Sequence, residues 1–163
     1  MPGQHAPRRP RELAGYLEAI SRAVFSAGIS WRVVEAKWEG IREALVGFDP
    51  RKLAELDARD IDALMADPRV IRNRRKLEGT VDNAQTILEL DGEFGGFRRY
   101  LRSHGDYDST VADLKRQFRF LGDSSAYFFL WSVGEPVPDH EEWRAARDSR
   151  SKTRSKPRAA PRN

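Results

Sequence analysis

Cysteine is absent from this sequence of 163 residues. Its absence excludes a disulfide framework and any thiolate metal site, and it fits a reducing compartment, so we expect a cytoplasmic protein. No segment approaches the roughly 18 consecutive apolar residues of a membrane span, and residues 1 to 11 contain no apolar signal-peptide core. No stretch alternates apolar and polar residues as a half-buried strand does. The sequence therefore predicts a protein that is built from helices and does not enter a membrane.

Basic charge is concentrated near the two ends of the sequence. Residues 144 to 163 hold eight Lys and Arg against one acid, and residues 1 to 10 hold two Arg and no acid. The Arg, Lys, Ser and Pro composition after residue 143 cannot bury enough apolar surface to order itself. We predict a disordered arm over 1 to 10, one helical domain over 11 to 143 and a disordered basic tail over 144 to 163. The domain holds 19 basic and 24 acidic residues, so only a local cationic cluster would favour a nucleic-acid surface.

Apolar residues recur at the 3.6-residue spacing of half-buried helices in two segments, which end at Gly28 and Gly47. Asp49-Pro50, Asp57 and Asp67-Pro68 have the form of helix starts, because a side-chain acceptor caps free N–H groups and proline suits the first turn. These signals predict short helices near 50 to 56 and 58 to 65, followed by a longer helix near 68 to 89.

The glycine-rich segment 91 to 96 predicts a break before a short helix that carries Phe97 and Leu101. A cap within residues 108 to 110 predicts a helix that runs to about Phe118. A tight turn at Phe120-Leu121-Gly122 then leads into an apolar run, 126 to 133, which predicts a buried helix. The predicted fold class is all-α.

Short blocks along the chain resemble the DNA-3-methyladenine glycosylase I family, part of the helix-hairpin-helix group, across roughly residues 13 to 140. The resemblance implies a compact helical bundle of the helix-hairpin-helix DNA glycosylase type. It also implies a monomeric base-excision repair enzyme that flips an alkylated purine, such as 3-methyladenine, from double-stranded DNA and hydrolyses its N-glycosidic bond. The blocks are Ala27-Gly28-Ile29-Ser30-Trp31, Phe48-Asp49-Pro50, Ile71-Arg72-Asn73-Arg74 with Lys76, Asn83-Ala84, Phe118-Arg119-Phe120-Leu121-Gly122, Tyr127 and Asp139-His140.

The resemblance assigns base binding to Ile29, Ser30 and Trp31. Trp31 matches the ring on which the flipped base stacks, since a base that has left the duplex regains stacking from an aromatic side chain. Ile29 matches an apolar wedge that enters the gap in the stack. Two simpler interpretations stay open, namely that Trp31 fills the core and that Ile29 packs between helices.

The resemblance assigns contacts with the DNA backbone to two segments. The turn before Gly122 looks like the hairpin of the helix-hairpin-helix motif, in which glycine admits a phosphate to the N–H groups of the next helix, here with Ser124 and Ser125. The other segment is a cluster in which five of the eight residues 69 to 76 are basic. The alternatives are a capped turn without a ligand and a solvated helix face. The cationic candidates in the cluster are Arg72, Arg74 and Lys76.

The sequence departs from the family at several functional positions. Ala23 stands where the family has a Glu that recognises the modified base. Of the family's zinc ligands only His140 has a counterpart, because Arg144 replaces a Cys, so we expect no metal and no other cofactor. Asp139 is the nearest match to the catalytic Asp of the wider group, with helix capping as the alternative. Two other functions stay open: a non-catalytic DNA-binding module that has lost its base pocket, and a helical interaction domain without a nucleic-acid role.

Overall fold

The computed structural model describes residues 6 to 155, and most of this range is helical. No strand occurs within it, which confirms the predicted all-α class. A single 3-10 turn, Val46–Phe48, joins the second and third helices. The helices are α1 (Leu13–Ser26), α2 (Trp31–Ala44), α3 (Pro50–Ala54), α4 (Ala58–Met65), α5 (Arg74–Phe94), α6 (Phe97–Arg102), α7 (Tyr107–Gln117), α8 (Asp123–Ser132) and α9 (His140–Ser155).

Aspartate caps fix the starts of α3 and α4, as the sequence predicts. The Asp49 carboxylate accepts a hydrogen bond from the Arg51 N–H at 3.0 Å, and Pro50 occupies the first helical position. Asp57 and Asp60 form a reciprocal capping box at the start of α4, with bonds of 2.9 and 3.0 Å. Each bond satisfies an N–H group that has no partner inside its helix.

The long helix α5 begins and ends later than the predicted range of 68 to 89. Asp67 accepts a hydrogen bond from the Arg69 N–H at 2.9 Å, which closes a turn and does not start a helix. Asn73 is the true cap, since its side chain accepts from the Lys76 N–H at 3.1 Å. The helix then continues through residues 91 and 92 to Gly95, whose φ of 70° ends it in the left-handed conformation that glycine adopts without strain.

The cap of α7 lies two to four residues before the cap that the sequence predicts. Asp106 accepts a hydrogen bond from the Ser109 N–H at 2.7 Å and is the N-terminal cap. The predicted cap within 108 to 110 is therefore wrong. Those residues form the first turn of α7.

The core lies around α5, which packs against α1, α3, α4 and α6, while α1 also packs against α8. None of the described helices combines the length and the apolar content that a membrane span requires. Burial of apolar side chains is the main favourable contribution to folding. The largest fully buried side chains are Tyr100, Phe25, Phe48, Phe129, Leu17, Ile20, Ile41, Leu45, Leu53, Leu77, Ile87 and Leu114.

The predicted disorder near the two ends of the sequence is wrong where the structure describes those segments. Residues 144 to 155 belong to α9, which is held to the domain by the aromatic ring of Trp143. Within the predicted arm, the Arg8 N–H donates to the Ser132 carbonyl at 3.0 Å. The average apolar content after residue 143 is low, but a single aromatic ring next to it buries enough apolar surface to attach the helix. The rest of both predictions, residues 1 to 5 and 156 to 163, lies outside the described residues.

Candidate functional site

A cavity of about 500 Å³ lies among α1, α2, α8 and α9. Its volume falls within the range of about 300–1,000 Å³ that is typical of sites for small organic ligands. Trp31, the first residue of α2, lines the cavity and is 38% exposed, which is unusual for so large an apolar side chain. The simpler interpretation of Trp31 as a core residue is therefore wrong.

The floor and one wall of the cavity come from α1 and α2. Ala23 of α1 lies at the floor and is 3% exposed. Glu35 follows Trp31 by one helical turn, so both side chains project from the same face of α2 and line the cavity. Arg22 Nε lies 3.8 Å from Glu35 Oε1, and this ion pair orients the carboxylate. The cavity thus contains an aromatic surface and the Glu35 carboxylate, although the family's Glu position is alanine, and its α9 side adds Arg144, Arg147 and Asp148.

The turn before α2 determines where Trp31 lies. Gly28 has a φ of 80°, which ends α1 and reverses the chain direction. Ser30 is exposed, and its carbonyl accepts the first backbone bond of α2, from the Val33 N–H at 3.1 Å. Lys76 Nζ donates to the Ala27 carbonyl at 2.8 Å and so ties α5 to this turn. Burial lowers the pKa of Lys76.

The turn between α7 and α8 brings the predicted hairpin to the same cavity. Ser124 and Ser125, in the first turn of α8, are lining residues. The residue with left-handed backbone in this turn is Phe120, with a φ of 63°. Gly122 has a φ of −107°, and a Cβ added to it would meet no atom within 4 Å. No contact inside the protein therefore requires glycine at this position.

Two contacts from α5 hold this hairpin in place. The Asn83 side chain hydrogen-bonds to the backbone of Arg119. A Cβ on Gly79 would lie 2.7 Å from the ring of Phe120, so the hairpin ring packs directly on the helix backbone. A side chain at Gly79 would force the ring, and with it the start of α8, away from the domain.

The first residue of α8, Asp123, places negative charge beside the predicted phosphate site. Lys115 Nζ lies 2.9 Å from Asp123 Oδ1, and this hydrogen bond is the largest of the effects that lower the pKa of the Asp123 carboxyl. Both side chains are about half exposed. The ion pair compensates much of the charge that would otherwise repel a phosphate at the N-terminus of α8.

The third wall of the cavity is α9, which begins in the predicted domain and continues into the segment after residue 143, for which the sequence predicts disorder. Its lining residues include His140, Trp143 and Arg147. The Trp143 ring stacks on Tyr127 with centroids 4.5 Å apart, and the Arg147 guanidinium donates a hydrogen bond to Ser124 Oγ. The spacing of three and four residues between these side chains is the helical signal that could have revealed α9.

The basic cluster at 69 to 76 does not form one cationic face. Arg74 is engaged in ion pairs with Asp62 at 2.7 Å and Glu78 at 3.1 Å. Lys76 has its Nζ on a backbone carbonyl, as described above. Arg72 is exposed, makes no hydrogen bond or ion pair with any described residue, and lines a surface depression together with Ile29. The predicted DNA contacts stay predictions; among the described residues, Arg72 and Arg75 are the members of the cluster that form no hydrogen bond or ion pair, and Arg75 lies over the ring of Phe120.

Ile29 and Asp139 both lie outside the lining of the main cavity. Ile29 is half-buried against the core and forms part of the neighbouring depression. The Asp139 carboxylate accepts from the Glu142 N–H at 3.4 Å and its carbonyl accepts from the Trp143 N–H at 2.8 Å, which is the geometry of a helix cap. The catalytic role of Asp139 stays a prediction, and the structure supplies the contacts for the capping alternative.

His140, the remaining counterpart of a zinc ligand, is part of an aromatic cluster. Its ring centroid lies 5.6 Å from that of Tyr127 and 5.8 Å from that of Trp143. Within residues 6 to 155, no three His, Cys, Asp or Glu side chains come together in a group that could hold a metal ion. The histidine has a packing role on α9.

The helical bundle, the hairpin before α8 and the aromatic cavity define a DNA glycosylase, an enzyme that hydrolyses the bond between a base and its deoxyribose. The model of the methyladenine glycosylase family matches residues 11 to 117. The chain belongs to this family.

Individual relatives agree with this assignment. The chain is 38% identical to the DNA-3-methyladenine glycosylase of Haemophilus influenzae over an alignment of 135 positions, which covers 70% of this chain and 72% of the relative. A crystal structure of a variant 3-methyladenine DNA glycosylase I in complex with 3-methyladenine is similar with a TM-score of 0.71 and 29% identity, covering 80% of this chain and 82% of that one. The enzyme from Staphylococcus aureus has the same TM-score and 27% identity, covering 83% and 89%.

Proposed function

We propose that this chain flips an alkylated purine, of the 3-methyladenine type, out of duplex DNA and hydrolyses its N-glycosidic bond with the base held beside Trp31. The observation that carries the proposal is a largely apolar cavity of about 500 Å³ with a partly exposed tryptophan in its wall. A flipped base has lost its stacking neighbours, and one aromatic side chain restores about 1–3 kcal/mol. The family match and the relative in complex with 3-methyladenine support an alkylated purine as the ligand.

Glu35 supplies the charge that selects such a base. Purines alkylated on a ring nitrogen carry positive charge in DNA, whereas the ordinary bases are neutral. A carboxylate in a cavity walled by apolar rings interacts strongly with a cation because little water screens the pair. Glu35 lies one turn from the stacking ring of Trp31. It takes over the recognition that Ala23, at the family's Glu position, does not provide.

The chemistry requires little help from a general base. A water oxygen forms a bond to C1′ of the deoxyribose and loses its proton to solvent, while the bond from C1′ to the ring nitrogen breaks. The bonding electron pair moves onto the purine and neutralises its positive charge, so the base leaves as a neutral molecule. The products are the free base and an abasic site in DNA. Trp31 and Glu35 act by holding the cationic base in the cavity until the bond breaks.

Duplex DNA lies against the start of α8 and the turn before α2. The exposed N–H groups of the first turn of α8, at Gly122 to Ser125, face a phosphate, and Arg72 contacts the backbone near the adjacent depression. Ile29 fills the gap that the flipped nucleotide leaves in the base stack. Phosphate contacts of this kind fix the position of the protein on the duplex without selecting a sequence.

The test of the proposal is a base-release assay on duplex DNA that has been alkylated with a methylating agent. Released bases are separated by chromatography and identified by mass. We expect 3-methyladenine in the supernatant and abasic sites in the DNA. A folded protein that binds the duplex and releases no base would contradict the proposal and favour the non-catalytic DNA-binding module.

We further infer that the protein acts as a monomer in the cytoplasm. The cavity already brings together Trp31, Glu35 and the serines of α8, the groups that the proposed reaction uses. The absence of cysteine suits a reducing compartment. Light scattering coupled to size-exclusion chromatography measures the molar mass, and a value near 18.6 kDa is expected.

A further inference from the structure

The cavity beside Trp31 contains a second tryptophan from a different part of the chain. Trp31 comes from the start of α2 and Trp143 from the first turn of α9, and both side chains line the same space. We propose that Trp143 is a second stacking surface for the flipped purine, so that α9 completes the base pocket. This inference rests on the proposed function, because the ligand it invokes is the alkylated base.

Trp143 is held in its position before any ligand binds. Its ring stacks on Tyr127, with centroids 4.5 Å apart and planes 28° apart. The Tyr127 hydroxyl donates to the Pro138 carbonyl at 2.8 Å, which ties the stack to the segment that leads into α9. The ring of Tyr107 contacts Tyr127 edge to face at 6.2 Å. A ring that is already fixed loses little side-chain entropy when a base stacks on it.

His140 and Arg147, about one turn before and after Trp143 on α9, also contact the Trp143 ring. The His140 ring lies 5.8 Å from the Trp143 ring at an angle of 28°. The Arg147 guanidinium lies over the Trp143 ring at 5.3 Å and also donates to Ser124 Oγ on α8. Because Arg147 links α9 to the hairpin helix, the second aromatic wall is attached to the element that faces DNA. The Trp143 ring and the Arg147 guanidinium therefore keep their relative positions if α9 moves.

The second wall lies beyond the part of the chain that matches the family. The family match ends at residue 117, whereas α9 spans His140–Ser155. After its first turn, α9 is composed mainly of charged and small residues. Trp143 is the large apolar side chain in this helix, and it points at the cavity instead of at the core. The pocket is thus built from the segment that matches the family and from two later helices, α8 and α9, that the match does not include.

The experiment measures binding of free 3-methyladenine to the full chain, with single-turnover base release as a second readout. Replacement of Trp143 by Ala removes one stacking surface and is expected to raise the dissociation constant for the base by about 5- to 100-fold. Trp143→Phe keeps a ring and should stay within about threefold of the wild type, whereas Trp143→Leu keeps apolar volume without a ring and should resemble the Ala variant. Trp131→Ala is the matched control, since Trp131 does not line this cavity.

A fluorescence measurement separates stacking from a purely structural role. In a Trp31→Phe variant, 3-methyladenine should still quench the tryptophan emission, and the additional change Trp143→Phe should abolish most of that quenching. The inference is overturned if Trp143→Leu binds the base as well as the wild type, because Trp143 would then only hold α9 in place. It is also overturned if Trp143→Ala retains base binding that Trp31→Ala loses, an outcome that leaves the proposed function intact. A wild-type protein that neither binds nor releases the base overturns both.

Discussion

Asn83 on α5 hydrogen-bonds to both backbone groups of Arg119 in the turn before α8. Its Oδ1 accepts from the Arg119 N–H at 2.8 Å, and its Nδ2 donates to the Arg119 carbonyl at 3.2 Å. Asn83 is 1% exposed, so water cannot replace either bond. The pair fixes the hairpin relative to the long central helix, and the hairpin in turn carries the side chains of α8 that line the cavity.

Replacement of Asn83 by Ala should lower the free energy of unfolding by about 1–3 kcal/mol, because two partly buried hydrogen bonds to the Arg119 backbone are lost at about 0.5–1.5 kcal/mol each. Urea denaturation measures this change. Glu89→Ala, on an exposed face of the same helix, is the control and should alter stability by less than about 0.5 kcal/mol. Equal stabilities of the two variants would show that the hairpin does not depend on the Asn83 bonds.

Gly122 should matter for DNA binding and not for folding. Its φ is negative and a Cβ there meets no protein atom within 4 Å, so Gly122→Ala should leave the melting temperature nearly unchanged. If a phosphate approaches the backbone at this position, the added methyl group will reduce the affinity for duplex DNA by about tenfold.

Fluorescence anisotropy with a labelled duplex measures the effect of Gly122→Ala. Gly92→Ala is the matched control, since a Cβ at Gly92 also meets no atom and the residue lies within α5, away from the hairpin. It should retain full DNA affinity. Undiminished affinity in Gly122→Ala would place the DNA away from the start of α8.

Glu35 should determine the preference for positively charged bases. Glu35→Gln preserves the size of the side chain and one acceptor oxygen but removes the charge, so release of cationic methylated purines should fall about tenfold. The control is Glu39→Gln, an exposed change one turn further along α2. Single-turnover release rates on methylated DNA compare the two. Unchanged rates in Glu35→Gln would remove Glu35 from the recognition of the base.

The carboxyl of Asp113 should contribute stability that is lost in acid. Burial opposes its ionisation, but hydrogen bonds from Tyr100 at 2.6 Å and from His104, with the charge of Arg116, outweigh burial and lower its pKa below the ordinary 3.8. A group whose pKa is lower in the folded state stabilises the protein above its unfolded-state pKa. That contribution disappears as the pH falls through the folded-state value.

Asp113→Asn should therefore flatten the dependence of stability on pH below about pH 4. Denaturant unfolding of both proteins between pH 2 and pH 6 measures this slope. At pH 6 the variant should be less stable than the wild type, and the difference should shrink as the pH falls. A constant difference across the whole range would contradict a lowered pKa for Asp113.

Local signals predicted much of this fold because they act within a few residues. The caps at Asp49 and Asp57 need only an acceptor next to a free helix end, and they lie where the sequence predicts. Where two candidate caps compete, as Asp67 and Asn73 do, the sequence alone does not decide between them. The carboxylate of Asp67 is instead engaged by the side chain of Arg69 at 2.8 Å, which stabilises a turn there.

The candidate site was only partly predictable from the sequence. The motif around Trp31 and the hairpin serines indicated two sides of one cavity, and the structure brings them together. Glu35 and Trp143 were missed because their roles depend on which residues meet across the fold, and neither stands out by composition. Trp143 is the last residue of the predicted domain and precedes a strongly polar segment for which the composition predicts disorder, whereas its half-buried ring attaches α9 to the domain.

The most direct test of the account compares single-turnover release of 3-methyladenine by the wild type, Trp31→Ala and Trp31→Phe on one methylated duplex. We expect Trp31→Ala to lose at least about tenfold in rate, since it removes a stacking surface worth about 1–3 kcal/mol, and Trp31→Phe to retain most of the activity. Thermal unfolding should show that both variants are folded, because Trp31 is partly exposed. Full activity in Trp31→Ala would contradict the claim that the base is held in this cavity.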